Sequence, residues 1–106
     1  MKNRLMTEGL RKQLPDLYAQ DGAGENAIVY ARYFSLSSMG EWYATEFDGV
    51  DTFYGLVNLW EPEFGYFSLS EMERMTIKEL AGIPAIERDI TFKKTTIKQI
   101  QERMNK

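Results

Sequence analysis

The sequence predicts one α+β domain spanning residues 1–106, in which a curved antiparallel β-meander of about five strands carries N-terminal, middle and C-terminal helices. Three observations predict it. A chain of 106 residues has room for one core. Runs of β-branched and aromatic residues follow one another with short turns containing Gly, Pro or Asp, which favours antiparallel pairing. The spacing of apolar residues becomes helical at both ends of the chain.

The first helix is predicted within TEGLRKQLPDLY. Thr7 is a candidate N-cap, Leu10 and Leu14 share one face, and Pro15 cannot continue the helix. The next segment, QDGAGENA, is rich in Gly, Asp and Asn and is therefore predicted to be a loop.

Four central strands are predicted in AIVYARYFSL, EWYATEF, TFYGLVNLW and FGYFSL. The segments SSMG, DGVD and EPE connect them and consist largely of turn-forming residues. Strands joined by such short connections are expected to pair with their sequence neighbours as a meander.

A short middle helix follows the fourth strand, because Ser70 and Glu73 have the spacing of a capping box. A Gly–Pro break then precedes a predicted fifth strand over residues 86–92.

The C-terminal segment TTIKQIQERMNK is predicted to be a helix capped by Thr95 or Thr96. Ile97, Ile100 and Met104 form an apolar stripe along it. Basic residues late in this helix suit the negative end of its dipole.

Two registers are open for the hairpin WYATEFDGVDTFYGLV. A two-residue turn at Asp48 and Gly49 would place Glu46 opposite Asp51, and facing like charges cost about 0.2–1 kcal/mol. A four-residue loop from Asp48 to Asp51 is therefore preferred. The predicted pairs are Phe47 with Thr52, Glu46 with Phe53, Ala44 with Gly55, and Trp42 with Val57.

This register divides the meander into two faces. The predicted core face consists of Trp42, Ala44, Glu46, Phe53, Gly55, Val57, Leu59, Phe67 and Leu69. The other face is aromatic with polar edges and consists of Tyr43, Thr45, Phe47, Thr52, Tyr54, Leu56, Asn58, Trp60, Phe64 and Tyr66. Asp48 and Asp51 are left in the loop, where Asp is favoured because it binds nearby backbone N–H groups.

Glu46 would be a carboxylate on a core face, so it needs a partner. Arg88 is the predicted one, in an ion pair that holds the last strand to the meander. Two alternatives remain open. Glu46 could be a perturbed carboxylate in a cleft, or it could bind a divalent cation with Asp48 and Asp51. The segment lacks the order of acids in a Ca²⁺-binding loop, so no metal or other cofactor is expected.

The composition argues against most enzyme classes. The chain has no His and no Cys, which removes thiolate and imidazole ligands, the corresponding nucleophiles and Ser–His triads. The phosphate-binding glycine motifs are also missing, so only carboxylate pairs of the glycosidase kind remain, and an enzyme is not predicted. Without a long apolar run or a signal-peptide core, a cytoplasmic location in a bacterial cell and no membrane contact are expected.

Charge is distributed unevenly along the chain, whose net charge is −3. Residues 33–73 contain no Lys or Arg and eight acids, which leaves eight acids against 13 bases, a balance of +5, in the remainder. The acids of this interval are Glu41, Glu46, Asp48, Asp51, Glu61, Glu63, Glu71 and Glu73. Such a separation bears on binding partners rather than on the fold.

Four segments carry a resemblance to a known family: LPDLYAQDG, WYATEFDGVDTFYGLV, GYFSLSEME and GIPAIERDITF. In this order, over about residues 5–95, they resemble the domain-of-unknown-function family numbered 2958, small bacterial proteins of plasmids, conjugative elements and phages. The chain departs from the pattern at RMTIKELAG and in its basic C-terminal helix. The resemblance implies a gene of a mobile element and no particular activity.

The first functional hypothesis is a non-enzymatic protein-binding accessory protein. It would act as an anti-defence inhibitor, for example an anti-CRISPR protein, against a host defence nuclease complex or another nucleic-acid-binding protein. The predicted contact aromatics are Tyr43, Tyr54, Trp60 and Tyr66, with an acidic rim of Glu41, Asp48, Asp51, Glu61 and Glu63. The structural alternative is that these aromatic residues form a second core beneath a helix. An exposed aromatic face would also favour a homodimer.

The second hypothesis is a small nucleic-acid-binding accessory protein that uses the basic C-terminal helix. Aromatic residues with neighbouring bases can stack on single strands. However, the aromatic strands contain only acids, which repel a phosphate backbone.

Overall fold

The computed structural model describes residues 4–78 and 82–105 of the chain. Its helices are α1 (Glu8–Gln13), α2 (Leu69–Arg74) and α3 (Ile97–Met104). Its strands are β1 (Ile28–Val29), β2 (Ala31–Ser35), β3 (Glu41–Phe47), β4 (Thr52–Asn58), β5 (Pro62–Ser68), β6 (Thr76–Ile77), β7 (Ile83–Pro84), β8 (Ile86–Arg88) and β9 (Thr95–Thr96).

The main sheet has five antiparallel strands in the order β5-β4-β3-β2-β8. The predicted α+β class, with three helices around an antiparallel meander, is therefore confirmed. The fifth strand is shorter than predicted, since it ends at Arg88, and it pairs with β2 at the far edge of the sheet. The predicted first strand divides at Tyr30, so that β1 leaves the main sheet and pairs with β9.

A β-bulge at Thr45 corrects the predicted hairpin register. Trp42 with Val57 and Ala44 with Gly55 pair as expected, but Thr45 is an extra residue in β3. Its hydroxyl donates to the carbonyl of Tyr54, 2.9 Å away. Beyond the bulge each side chain changes face. The two remaining pairs of the prediction are therefore wrong, and the observed ones are Glu46 with Tyr54 and Phe47 with Phe53.

The first core lies on the face of the sheet that carries Trp42 and Phe53. The bulge brings Phe47 into this core, where its ring centroid lies 4.5 Å from that of Phe53. Helices α1 and α2 cover the face through the apolar side chains of Leu10, Leu69 and Met72. Phe47 is therefore a core residue, and its predicted place on the aromatic face is wrong.

A second core lies on the opposite face, beneath α3. Ile97 and Ile100 of this helix pack with Val29, Tyr43 and Leu56. In the predicted apolar stripe of the C-terminal helix, Ile97 and Ile100 are buried and Met104 is partly buried against the same core. The aromatic face is a second core at its β3 side, whereas its β5 side is exposed.

The helix caps agree with the sequence at the two terminal helices. Side-chain oxygens of Thr7 and Thr96 accept hydrogen bonds from the first turns of α1 and α3. The middle helix is capped by Ser68 instead of Ser70, because the sequence SLSEME contains the capping-box spacing twice. Over residues 4–78 and 82–105, none of the helices has the length and apolarity needed to cross a bilayer.

Candidate functional site

The nine predicted contact residues fall into two groups. Glu41, Tyr43, Asp48 and Asp51 make hydrogen bonds within the chain, at its β2–β3 side and in the β3–β4 loop. The others, Tyr54, Trp60, Glu61, Glu63 and Tyr66, lie on β4, β5 and the turn between them. The second group therefore lies together at the β5 edge of the sheet, whereas the first group lies apart from it.

Glu41 and Tyr43 belong to a polar cluster around Arg32. The guanidinium of Arg32 lies 2.8 Å from the Glu41 carboxylate and 3.2 Å from that of Asp89. The Tyr43 hydroxyl donates to the same Glu41 oxygen at 2.6 Å. This cluster joins β2, β3 and the end of β8.

The contacts within this cluster lower the pKa values of Glu41 and Asp89. Burial raises the pKa of Glu41, but hydrogen bonds from Tyr43 and Arg32 outweigh it and hold the pKa below the usual value. For Asp89, burial also raises the pKa, and hydrogen bonds from Thr91 together with the Arg32 charge bring it below its usual value. Both carboxylates are thus stabilised in their charged form.

Asp48 and Asp51 organise the loop between β3 and β4. One Asp48 oxygen accepts the N–H groups of Val50 and Asp51 at 2.8 Å and of Thr52 at 3.0 Å. Asp51 accepts the Ser68 hydroxyl at 2.6 Å and the Ser70 N–H at 2.7 Å. The two carboxylates therefore fix the loop and the start of α2, as expected for turn residues.

Glu46 has different partners from the predicted one. Its two oxygens accept the backbone N–H groups of Tyr18 and Gln20, each at 2.8 Å. Arg88 donates to the carbonyl of Arg4 instead. The predicted Glu46–Arg88 pair is wrong because the bulge turns Glu46 to the α3 face, whereas Arg88 pairs with Tyr33, which lies in the first core.

Glu46, Asp48 and Asp51, the three carboxylates considered for a cation site, point in different directions. Glu46 is turned to the segment after α1, and Asp48 and Asp51 are turned into their own loop. Within residues 4–78 and 82–105, no group of three or more Asp, Glu, His or Cys side chains is placed to hold a metal.

The segment bound by Glu46 contains the features that sequence reasoning missed. Tyr18 adopts a left-handed backbone with φ of 71°, which is costly for a bulky residue. The Gln20 side chain ties the segment to Ile28 and to the carbonyl of Thr45. No sequence signal marks a left-handed tyrosine, although the position of Tyr18 between a helix end and a Gly-rich loop is a turn context.

Four aromatic side chains meet on this side of the sheet and are called here the aromatic patch: Tyr18, Tyr54, Phe64 and Tyr66. The rings of Tyr54 and Phe64 are stacked, with centroids 6.4 Å apart, and those of Tyr54 and Tyr66 meet edge to face at 5.1 Å. The Tyr66 hydroxyl donates to that of Tyr18 at 3.1 Å, and this contact raises the pKa of Tyr66 to about 12.

The patch is exposed, and its surroundings are acidic. The exposed fractions are 61% for Tyr18, 48% for Phe64, 54% for Tyr66 and 99% for Trp60, which lies in the adjoining turn. Glu61 and Glu63 are exposed beside it. A largely apolar cavity of about 330 Å³ opens between Tyr54, Phe64, Ile97 and the loop that carries Asp21 and Glu25.

The C-terminal segment carries basic residues before and along α3. Lys93, Lys94, Lys98 and Arg103 are all exposed, while the apolar side of α3 is buried against the sheet. The ammonium of Lys94 lies 5.7 Å from the centre of the Tyr30 ring.

One comparison with known proteins gives a match. The model of a family described as a protein of unknown function (DUF2958) matches residues 5–102. No curated protein and no solved structure gives a significant match.

Proposed function

The chain belongs to the DUF2958 family, whose description assigns no function, and we propose that it is a non-enzymatic protein-binding accessory protein of a mobile genetic element. It would bind the basic surface of a nucleic-acid-binding host protein in the bacterial cytoplasm, in the manner of an anti-defence inhibitor. The aromatic patch and the acids beside it form the proposed contact surface.

The exposed aromatic patch is the observation that carries the proposal. Three of its four members expose about half of their area or more, and Trp60 next to them is almost wholly exposed. Tyrosine and tryptophan are enriched in interface cores because they bring a large apolar area with little loss of conformational entropy. Grouped exposed apolar residues of this kind are typical of interaction sites.

The acidic residues around the aromatic patch indicate the kind of partner. Glu61 and Glu63 border the patch on one side, and Asp21 and Glu25 line the cavity on the other. Glu61 and Glu63 belong to the stretch from residue 33 to 73, which contains eight acids and no Lys or Arg. A surface of this charge favours a basic partner and raises its association rate. A groove that normally binds phosphates is basic and attracts an acidic surface of this kind, which supports competition with nucleic acid as the mode of inhibition.

Affinity capture tests the proposal. The tagged protein is incubated with bacterial lysate, with and without nuclease, and bound proteins are identified by mass spectrometry. We expect one dominant nucleic-acid-binding protein that survives nuclease treatment and is lost with Glu61→Lys plus Glu63→Lys. The matched control is Glu8→Lys plus Glu71→Lys, which makes the same charge change at two exposed acids on α1 and α2, the helices that cover the opposite face of the sheet. Equal recovery by both double variants would remove the acidic border from the proposal.

Binding of nucleic acid through the C-terminal segment is the second candidate. The four exposed bases between Lys93 and Arg103 favour it, since phosphate contacts need accessible cations. A mobility shift that weakens steeply with salt and is lost with Lys93→Glu plus Lys94→Glu would support it. Capture that collapses on nuclease treatment would likewise move the function to this segment.

A further inference from the structure

We propose that the partner contributes an extended basic segment that adds to the sheet as a new strand along β5. This inference rests on the proposed function and specifies how the partner binds there. It is carried by the position of β5 in the sheet, the direction of its backbone groups and the charge around it.

β5 is the open edge of the main sheet. The strand order places β5 at one end and β8 at the other. β5 has seven residues, whereas β8 has three and offers little backbone for pairing. A long exposed edge is a template for another strand unless it is blocked.

The ladder between β4 and β5 determines which backbone groups point outward. The N–H of Leu69 donates to the carbonyl of Asp51, at 2.8 Å, one step beyond the pair of Thr52 with Ser68. Hydrogen-bonded pairs alternate along an antiparallel ladder. The N–H and C=O groups of Phe64 and Tyr66 therefore face away from β4. Within the described part of the chain, no hydrogen bond outside the ladder reaches these groups.

The edge has little protection and has room beside it. Pro62 blocks only the first outward N–H, and no Lys stands on the strand. A Cβ built on Gly65 would meet no atom within 4 Å. A depression of about 410 Å³ lies at this strand, lined by Trp60, Glu63, Gly65 and Tyr66 among others. These features leave space for an added strand with side chains on both faces.

Charge selects a basic strand as the occupant. Side chains of an added strand would alternate between the aromatic patch and the face that carries Glu63. A cationic side chain next to Phe64 or Tyr66 gains a cation–π contact, and one next to Glu61 or Glu63 gains an ion pair. A second copy of this chain would bring the same acids and no base from its own β5, so it fits less well.

A synthetic peptide tests strand addition directly. The probe is acetyl-KVRVKVRVK-amide, and the control is acetyl-KPRPKPRPK-amide, which keeps the charge but cannot pair as a strand. Binding is followed by the fluorescence of Trp60, with Trp60→Phe to subtract the signal of buried Trp42, and by amide hydrogen exchange in NMR spectra. We expect the valine peptide, and not the proline peptide, to slow exchange at Phe64 and Tyr66 by about tenfold or more.

Two variants provide an independent test. Phe64→Pro removes one outward N–H together with the ring, and Phe64→Ala removes the ring alone. We expect Phe64→Pro to weaken peptide binding about tenfold more than Phe64→Ala. An equal loss would overturn strand addition. If Phe64→Pro does not fold, judged by circular dichroism, the exchange measurement on the unaltered protein decides.

The remaining outcomes separate this inference from the proposed function. Peptide binding that requires Glu61 and Glu63 without slower exchange at Phe64 and Tyr66 would overturn strand addition and leave face-to-face binding in place. Slow exchange at these two amides in the free protein, with the mass of a dimer in solution, would make a second copy the occupant and overturn the inference. Absence of peptide binding overturns it too, while lysate capture still tests the proposed function.

Discussion

Gly55 and Gly65 face each other across β4 and β5, and only at Gly55 would a side chain meet the neighbouring backbone. A Cβ on Gly55 would lie 1.8 Å from the carbonyl oxygen of Tyr43, whereas one on Gly65 would meet nothing within 4 Å. The difference arises next to the bulge, where β3 comes close to β4. This pair therefore provides a substitution and its control at the same level of the sheet.

Gly55→Ala is expected to lower the free energy of unfolding by about 2–4 kcal/mol, because backbone must move to admit the methyl group. Gly65→Ala is expected to stay within about 0.5 kcal/mol of the parent or to stabilise it, since alanine loses less entropy on folding. Urea unfolding of both variants measures the difference. Similar losses in the two would contradict the close approach at Tyr43.

Glu46→Gln is expected to lower the free energy of unfolding by about 1–3 kcal/mol. The amide replaces one accepting oxygen with a donor, so either the Tyr18 or the Gln20 N–H loses its partner in a buried site. Glu63→Gln, at an exposed position of β5, is the control and should leave stability unchanged. Urea unfolding checks both, and equal effects would mean that the two backbone contacts contribute nothing.

Tyr18→Gly is expected to give a protein more stable than Tyr18→Ala by about 1 kcal/mol, because only glycine adopts a φ of 71° without strain. At neighbouring Ala19, which is outside the left-handed region, Ala19→Gly is expected to destabilise by about 0.5–1 kcal/mol. Thermal unfolding of the three variants compares them. If Tyr18→Ala were more stable than Tyr18→Gly, the result would argue against a left-handed backbone at Tyr18.

Acid is expected to weaken the Arg32 cluster. Glu41 and Asp89 have pKa values lowered by the fold, so their contribution is complete above the ordinary carboxyl value of about 4 and is lost as pH falls through the lower folded pKa. Glu41→Gln should cost about 1–2 kcal/mol at neutral pH. Its Tm should then fall less than that of the parent between about pH 5 and pH 3. Glu61→Gln, at an exposed position, should keep both the Tm and the slope of the parent.

Local signals in the sequence predicted most of the fold. The caps at Thr7 and Thr96, the stripe of Ile97 and Ile100 and the short turns of the meander each depend on neighbouring residues. The bulge at Thr45 could not be predicted, because it depends on how β3 packs against two cores at once. The extra residue places Phe47 in the first core and Glu46 on the opposite face, which is the reverse of the prediction.

The candidate site was predictable only in part. Tyr54, Trp60, Glu61, Glu63 and Tyr66 lie in one stretch of sequence, so alternation and charge were enough to group them. Tyr18 and Gln20 join them through Glu46, by contacts between residues distant in sequence. The assignment of Glu41 and Tyr43 to the contact surface stays a prediction, and their hydrogen bonds to Arg32 and to each other could not be read from the sequence.

The pairing of β1 with β9 has a kinetic consequence. β3, β4 and β5 pair with their sequence neighbours, whereas Ile28 pairs with Thr96, which lies 68 positions further along the chain. Local contacts close short loops and form early, and distant ones pay a larger loop-closure entropy. The meander should therefore nucleate folding, with the attachment of α3 as a late step. Substitutions at Ile97 or Ile100 should then speed unfolding while leaving the folding rate nearly unchanged.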